Sequence, residues 1–137
     1  MRAVVFDNEA VQALRDDRHP KHRQVLAHLA GIVGRRRRGR EVAAVVPTSV
    51  RVEAGWDRTQ PAAAALNRLR VLDHVLDTTT ANVAAAIADG LAGVSVADAH
   101  VGAAIRSLPH DEVVALTSDP DDITRVAGDR PVRTIRV

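Results

Sequence analysis

Three short apolar runs constrain the fold of this chain more than any other feature: Ala3-Val4-Val5-Phe6, Val42-Ala43-Ala44-Val45-Val46 and Val113-Val114-Ala115-Leu116. Each is rich in β-branched residues and none alternates with polar ones. Such runs suit strands buried on both faces, and therefore a parallel sheet. Helical patterns lie between them. This alternation predicts a three-layer α/β/α domain around a central, mostly parallel sheet. A chain of 137 residues with 46% hydrophobic content forms one domain with a real core, spanning 1–137 without an internal repeat or linker.

The first strand is followed by a helix from about Glu9 to Leu14, and a second helix runs from Lys21 to Val33 with Val25, Leu26, Leu29, Ile32 and Val33 as its apolar set. After Val46 a helix opens at Thr48 or Ser49. Another spans Pro61 to Leu69, with Pro61 acceptable in its first turn. The segment Val71 to Leu76 has no clear period and reads as a candidate strand. An alanine-rich helix follows, carrying Val83, Ile87 and Leu91 and broken at Gly90 or Gly93. Ser95 opens a helix through Ile105, a short helix follows Pro120, and the last strand runs from Val132 to Val137.

In open α/β sheets the ligand crevice lies outside the carboxyl ends of the strands. Four acids are placed to meet there: Asp7, Glu53, Asp98 and Asp119. Taken singly, each has a plainer role. Asp7 reads as the N-cap of the helix after it, and Asp119 as an N-cap with Pro120 at N1 and Asp122 at N3. Asp98 stands three residues after Ser95, in the manner of a capping box. It also lies on the stripe of Val101, Gly102 and Ile105, where a carboxylate needs a cation or donors to be tolerated. Glu53 has Val50 at i−3 and Trp56 at i+3, so it shares a face with apolar neighbours, although a solvated glutamate is the simpler reading of that residue alone. The functional argument rests on the set of four.

Absences narrow the chemistry. With no cysteine, disulfides and thiolate metal sites are excluded and any metal is a hard, oxygen-bound ion. No apolar stretch approaches ~20 residues and no leader pattern opens the chain, so the expectation is a cytoplasmic protein without a membrane segment. The bases are almost all arginine, with Lys21 the only lysine. The run Arg35-Arg36-Arg37-Arg38-Gly39-Arg40 is expected to form an exposed loop. It reads either as a contact for RNA phosphates or an acidic partner, or as a solvated turn. The six histidines show no metal-binding motif and read as solvated, with His100, two residues beyond Asp98, bordering the acids.

The acids also match a known arrangement. Asp7 closing the first strand, Glu53 after Val46-Pro47-Thr48, Val96-Ala97-Asp98-Ala99 opening a helix and Thr117-Ser118-Asp119-Pro120-Asp121-Asp122 closing a strand resemble PIN domains, in particular VapC-type toxins of bacterial toxin-antitoxin pairs. The resemblance covers almost the whole chain. It implies a PIN-like sandwich, an Mg²⁺- or Mn²⁺-dependent endoribonuclease leaving 5′-phosphate and 3′-hydroxyl ends, a small VapB-like antitoxin as inhibitor, and a homodimer. The acidic quartet carries over to Asp7, Glu53, Asp98 and Asp119, as metal ligands or, for Glu53, as the water-orienting base. Thr117 matches the supporting hydroxyl, and Asp122 is a candidate fifth carboxylate. Where the family often has a small hydroxyl residue directly after the first Asp, and Asn or Ser next, this chain has Asn8 and Glu9.

Two other readings stand beside it. One is a PIN-like module that binds nucleic acid or protein without catalysis, although the single Phe, single Trp and absence of Tyr argue against base-stacking platforms. The other is a haloacid-dehalogenase-like phosphatase, suggested by Val4-Val5-Phe6-Asp7. That reading is weakened by Glu9 in place of the second Asp and by the poor placement of Lys21.

Overall fold

The computed structural model describes residues 1–137, the Ala65 side chain excepted. Its elements are β1 (Arg2–Phe6), α1 (Asn8–Arg15), α2 (His22–Arg37), β2 (Val42–Pro47), α3 (Thr48–Ala54), a 3₁₀ turn (Pro61–Ala63), α4 (Ala64–Asn67), β3 (Val71–His74), α5 (Thr78–Gly90), α6 (Val96–Ser107), β4 (Glu112–Thr117), α7 (Pro120–Ala127) and β5 (Arg133–Arg136). The five strands form one sheet in the order β3-β2-β1-β4-β5. Every pairing is parallel. The architecture is the expected three-layer α/β/α arrangement, and the sheet is wholly rather than mostly parallel.

The valine runs are the centre of that sheet. Val4, Val5 and Phe6 of β1, Val45 and Val46 of β2, and Val113, Val114 and Leu116 of β4 are all buried in the principal core. Both faces of these strands are covered, which is why their sequences do not alternate. A smaller cluster, Ala84, Ile87, Ala99, Ala103 and Val126, joins α5, α6 and α7. Alanine and glycine allow these helices to approach closely. A Cβ added at Gly102 would lie 2.6 Å from the Val126 carbonyl oxygen, so the α6–α7 crossing requires glycine there.

Four expectations are corrected. The arginine run is not a loop: α2 continues through Arg37, with Arg38 as its C-cap. Arginine is a good helix former, and its charge is favourable at the C-terminal end of the helix dipole. Pro61 to Leu69 is not one helix but a 3₁₀ turn and a four-residue helix. Ala63, Leu66 and Leu69 still turn toward the core, and Asn67 is held from outside by donating to the Arg58 carbonyl at 2.9 Å. β3 stops at His74, before Leu76, because it is an edge strand paired only with β2. Glu53 is not drawn toward the core: its side chain is exposed although Val50 at i−3 is buried, and Trp56 lies beyond the helix, past the left-handed Gly55.

Among the described residues, no helix is long and apolar enough to cross a membrane.

Candidate metal and phosphodiester site

The chain runs from β1 to β2 and β3 on one side, then crosses to β4 and β5 on the other. The strand order therefore reverses between β1 and β4, and in open α/β sheets the carboxyl ends at such a switch point are where a ligand crevice forms. Asp7 follows β1 directly, and Thr117, Ser118 and Asp119 close β4.

The chain holds Asp7 firmly. One carboxylate oxygen accepts the Ala10 N–H at 3.0 Å, capping α1, and the other accepts the Ser118 N–H at 3.2 Å, tying the ends of β1 and β4 together. Its own N–H donates to the Leu116 carbonyl at 3.1 Å, which extends the ladder by one residue. Asp7 is buried, and burial raises its pKa above the ordinary 3.8. Hydrogen bonds from the Thr117 hydroxyl and from the Ala10 and Ser118 amides pull the other way, and the like charge of Glu9 adds to the rise.

Asp119 is exposed and caps α7 by accepting the Asp122 N–H at 3.2 Å, with Pro120 at N1. Its N–H donates to the Thr117 hydroxyl at 2.9 Å. Thr117, buried, thus hydrogen-bonds to both Asp7 and the Asp119 amide. Glu53 reaches the same region through Asn8, whose side-chain amide donates to it at 2.9 Å. Asn8 is in turn fixed by Gln12 at 3.1 Å. Asp98 opens α6, half-buried, with its N–H capped by Ser95 at 3.0 Å. Its carboxylate makes no hydrogen bond or ion pair to the other three acids among the described residues.

Asp122 is engaged elsewhere, pairing with Arg125 one turn along α7 at 3.2 Å. Glu9 turns toward His19 at 3.3 Å and Lys21 at 3.4 Å, which gives it a structural role in the turn before α2. Asp7 and Asp119 therefore follow the adjacent strands β1 and β4, Glu53 is linked to Asn8, the residue after Asp7, and both Glu53 and Asp98 are carried by helices. Among the described residues, no three acidic or histidine side chains are grouped closely enough to hold a metal ion as they stand. The donor set still suits a hard cation: it consists of carboxylates, and the most buried of them has no positive partner.

The arginine run contributes unequally. Arg36 donates to the Val42 carbonyl at 2.9 Å and the Leu69 carbonyl at 2.6 Å, clasping β2 and the segment before β3. This removes it from the expected RNA-contact set. Arg37, Arg38 and Arg40 are exposed, and Arg35 is half-buried.

The solvated reading of the histidines fails at His100, which is fully buried. Its Nδ1 lies 2.7 Å from the Ser49 hydroxyl and its Nε2 lies 3.2 Å from His74 Nδ1. His74 Nε2 is 3.1 Å from the Ser107 hydroxyl, which donates to the Ala104 carbonyl. One set of neutral tautomers satisfies the whole chain: Ser49 donates to His100, His100 to His74, and His74 to Ser107. Burial, then the neighbouring His74, pushes His100 down to about 4. The chain ties α3, which carries Glu53, to α6, which carries Asp98. Its sequence signal was the position of His100 within a helix buried at every residue from Ala99 to Ile105.

No family model, curated protein or solved structure matches this chain.

Proposed function

We propose that the chain is a metal-dependent endoribonuclease of the PIN-like kind, acting as the toxin of a toxin-antitoxin pair. The supporting observation is Asp7: a buried carboxylate at the switch point of a parallel sheet, held above its ordinary pKa, whose only charged influence among the described residues is a like charge. Such a group is stabilised by acquiring a cation. Asp7, Glu53, Asp98 and Asp119 would hold Mg²⁺ or Mn²⁺. Bound there, the ion supplies positive charge to offset the phosphoryl oxygens and acidifies an attacking water.

The chain's own residues do the rest. Ser118 and Ala10 amides and the Thr117 hydroxyl orient Asp7, and Asn8 fixes Glu53, whose exposed carboxylate is free to orient water. Exposed Arg37, Arg38 and Arg40 precede β2 at the amino ends of the strands, opposite Asp7 and Asp119, so they offer phosphate contacts only to RNA that extends well beyond the acids. RNA is the substrate in this reading, a VapB-like antitoxin and a second copy of the chain are its partners, and the cytoplasm is its place of action.

The ungrouped state of the acids favours a second reading, a PIN-like module that binds nucleic acid or protein without cutting. Purified protein incubated with end-labelled total RNA separates the two. Discrete fragments formed with Mg²⁺ or Mn²⁺, absent with EDTA and absent in Asp7→Asn and Asp98→Asn, establish the nuclease. Intact RNA under every condition, from folded and antitoxin-free protein, refutes the nuclease and favours the binding module.

A further inference from the structure

We propose that the cleft between α2 and the sheet is a binding site for a small organic anion with a phosphate or carboxylate head on a compact apolar body. The site is independent of the acidic crevice and of the nuclease reading. Its volume is about 220 Å³. That exceeds the ~150 Å³ of a cavity able to take up benzene.

The floor is apolar, formed by Val4, Val114, Leu116 and Ile135 on one face of β1, β4 and β5. The rim is basic, formed by Arg2, Arg35, Arg133 and His28. Arg2 is neutralised by Glu112 at 2.8 Å. Arg35, Arg133 and His28 make no side-chain hydrogen bond or ion pair among the described residues. The neighbouring acid Asp111 is taken by the N-terminal ammonium at 3.0 Å. Two arginines thus converge on an apolar concavity with no acid committed to them. Arginine stems lying over a sheet are ordinary packing, but their heads usually find water or acids beyond the rim. Here they border a space deep enough for a ligand body, with a fork that matches phosphate and carboxylate geometry.

Gly31 lines the cleft on the α2 side. It lies within α2, where glycine costs ~1 kcal/mol relative to alanine. Nothing in the packing demands it, since an added Cβ would meet no atom within 4 Å. A larger residue there would fill the cleft.

Isothermal titration with four probes tests the proposal: phenyl phosphate, inorganic phosphate, phenol and uridine 5′-monophosphate. Phenyl phosphate is expected to bind with 1:1 stoichiometry, about tenfold or more tighter than inorganic phosphate or phenol, because head and body both contribute. The gain should vanish in Gly31→Leu and in the Arg35→Gln/Arg133→Gln double variant. Gly31 is solvent-exposed and leucine is the better helix former, so the first variant should keep its circular dichroism spectrum. Tighter binding of uridine monophosphate than of phenyl phosphate, lost in the Arg35→Gln/Arg133→Gln variant, would identify the occupant as a nucleotide; the reverse order would identify a smaller anion. Either supports the site. Phenyl phosphate binding no tighter than inorganic phosphate, or unchanged in folded Gly31→Leu, would overturn it.

Discussion

Replacing His100 by glutamine should change how stability depends on pH as well as how large it is. His100 has an ordinary value of 6.5 in the unfolded chain and about 4 in the folded one. Between these values the unfolded state binds more protons, so stability is complete above pH 6.5 and is lost as pH falls toward 4. Going from pH 7.5 to 5.0, the linkage relation gives a loss of about 2 kcal/mol from this one group. Glutamine does not titrate and cannot reproduce both ring hydrogen bonds, so at pH 7.5 the variant should be less stable by roughly 1–3 kcal/mol. Urea unfolding of both proteins in EDTA, at pH 7.5 and 5.0, measures each quantity. The raised pKa of Asp7 is present in both proteins and to first order cancels in the difference, whereas His74 touches His100, so the difference reads the buried histidine pair. The wild-type advantage should shrink by about 2 kcal/mol on acidification. Parallel pH dependences for the two proteins would refute the buried neutral chain.

Gly102→Ala should lower the melting temperature by several degrees, because the added methyl meets the Val126 carbonyl at 2.6 Å and overpacking costs ~1–3 kcal/mol. Thermal unfolding followed by circular dichroism reads this directly. Arg36→Ala should cost about 1–3 kcal/mol by freeing the Val42 and Leu69 carbonyls, whereas exposed Arg38→Ala should stay within about 0.5 kcal/mol of wild type. Equal effects in denaturant titrations would contradict the clasp. For Asp7, a carboxyl-carbon NMR titration in EDTA should give a midpoint above 3.8, and millimolar Mg²⁺ should move it down. A midpoint unmoved by Mg²⁺ would argue that no cation binds beside it.

The fold was legible wherever both faces of an element are buried. Val4, Val5, Val45, Val46, Val113 and Val114 lie in the inner strands, an environment that suits short, β-branched, unbroken apolar runs. Legibility declined toward the edges. Leu72 in β3 is 55% exposed, so Val71 to Leu76 carries no period to read. The arginine run defeated composition-based reasoning because charge reports exposure and says little about backbone: the same residues suit a loop or a helix terminus. Of the acids, Asp7 and Asp119 could be placed from their strands, since the residue after a parallel strand has little choice of position. The link from Glu53 through Asn8 and the buried Ser49–His100–His74 chain depend on contacts up to 51 residues apart, which no local pattern encodes.

The position of β1 between β2 and β4 also bears on when the crevice can exist. β1 registers Arg2 against Glu112 and Phe6 against Leu116, contacts separated by some 110 residues of chain. Pairings this distant form late, because loop closure must precede any reward from contact. During synthesis, Asp7 emerges some 110 residues ahead of Thr117, Ser118 and Asp119 and lacks them until they too have left the ribosome. Whatever chemistry belongs to the β1–β4 junction is thus withheld from partial translation products, and a truncated chain that ends before β4 should be inert there.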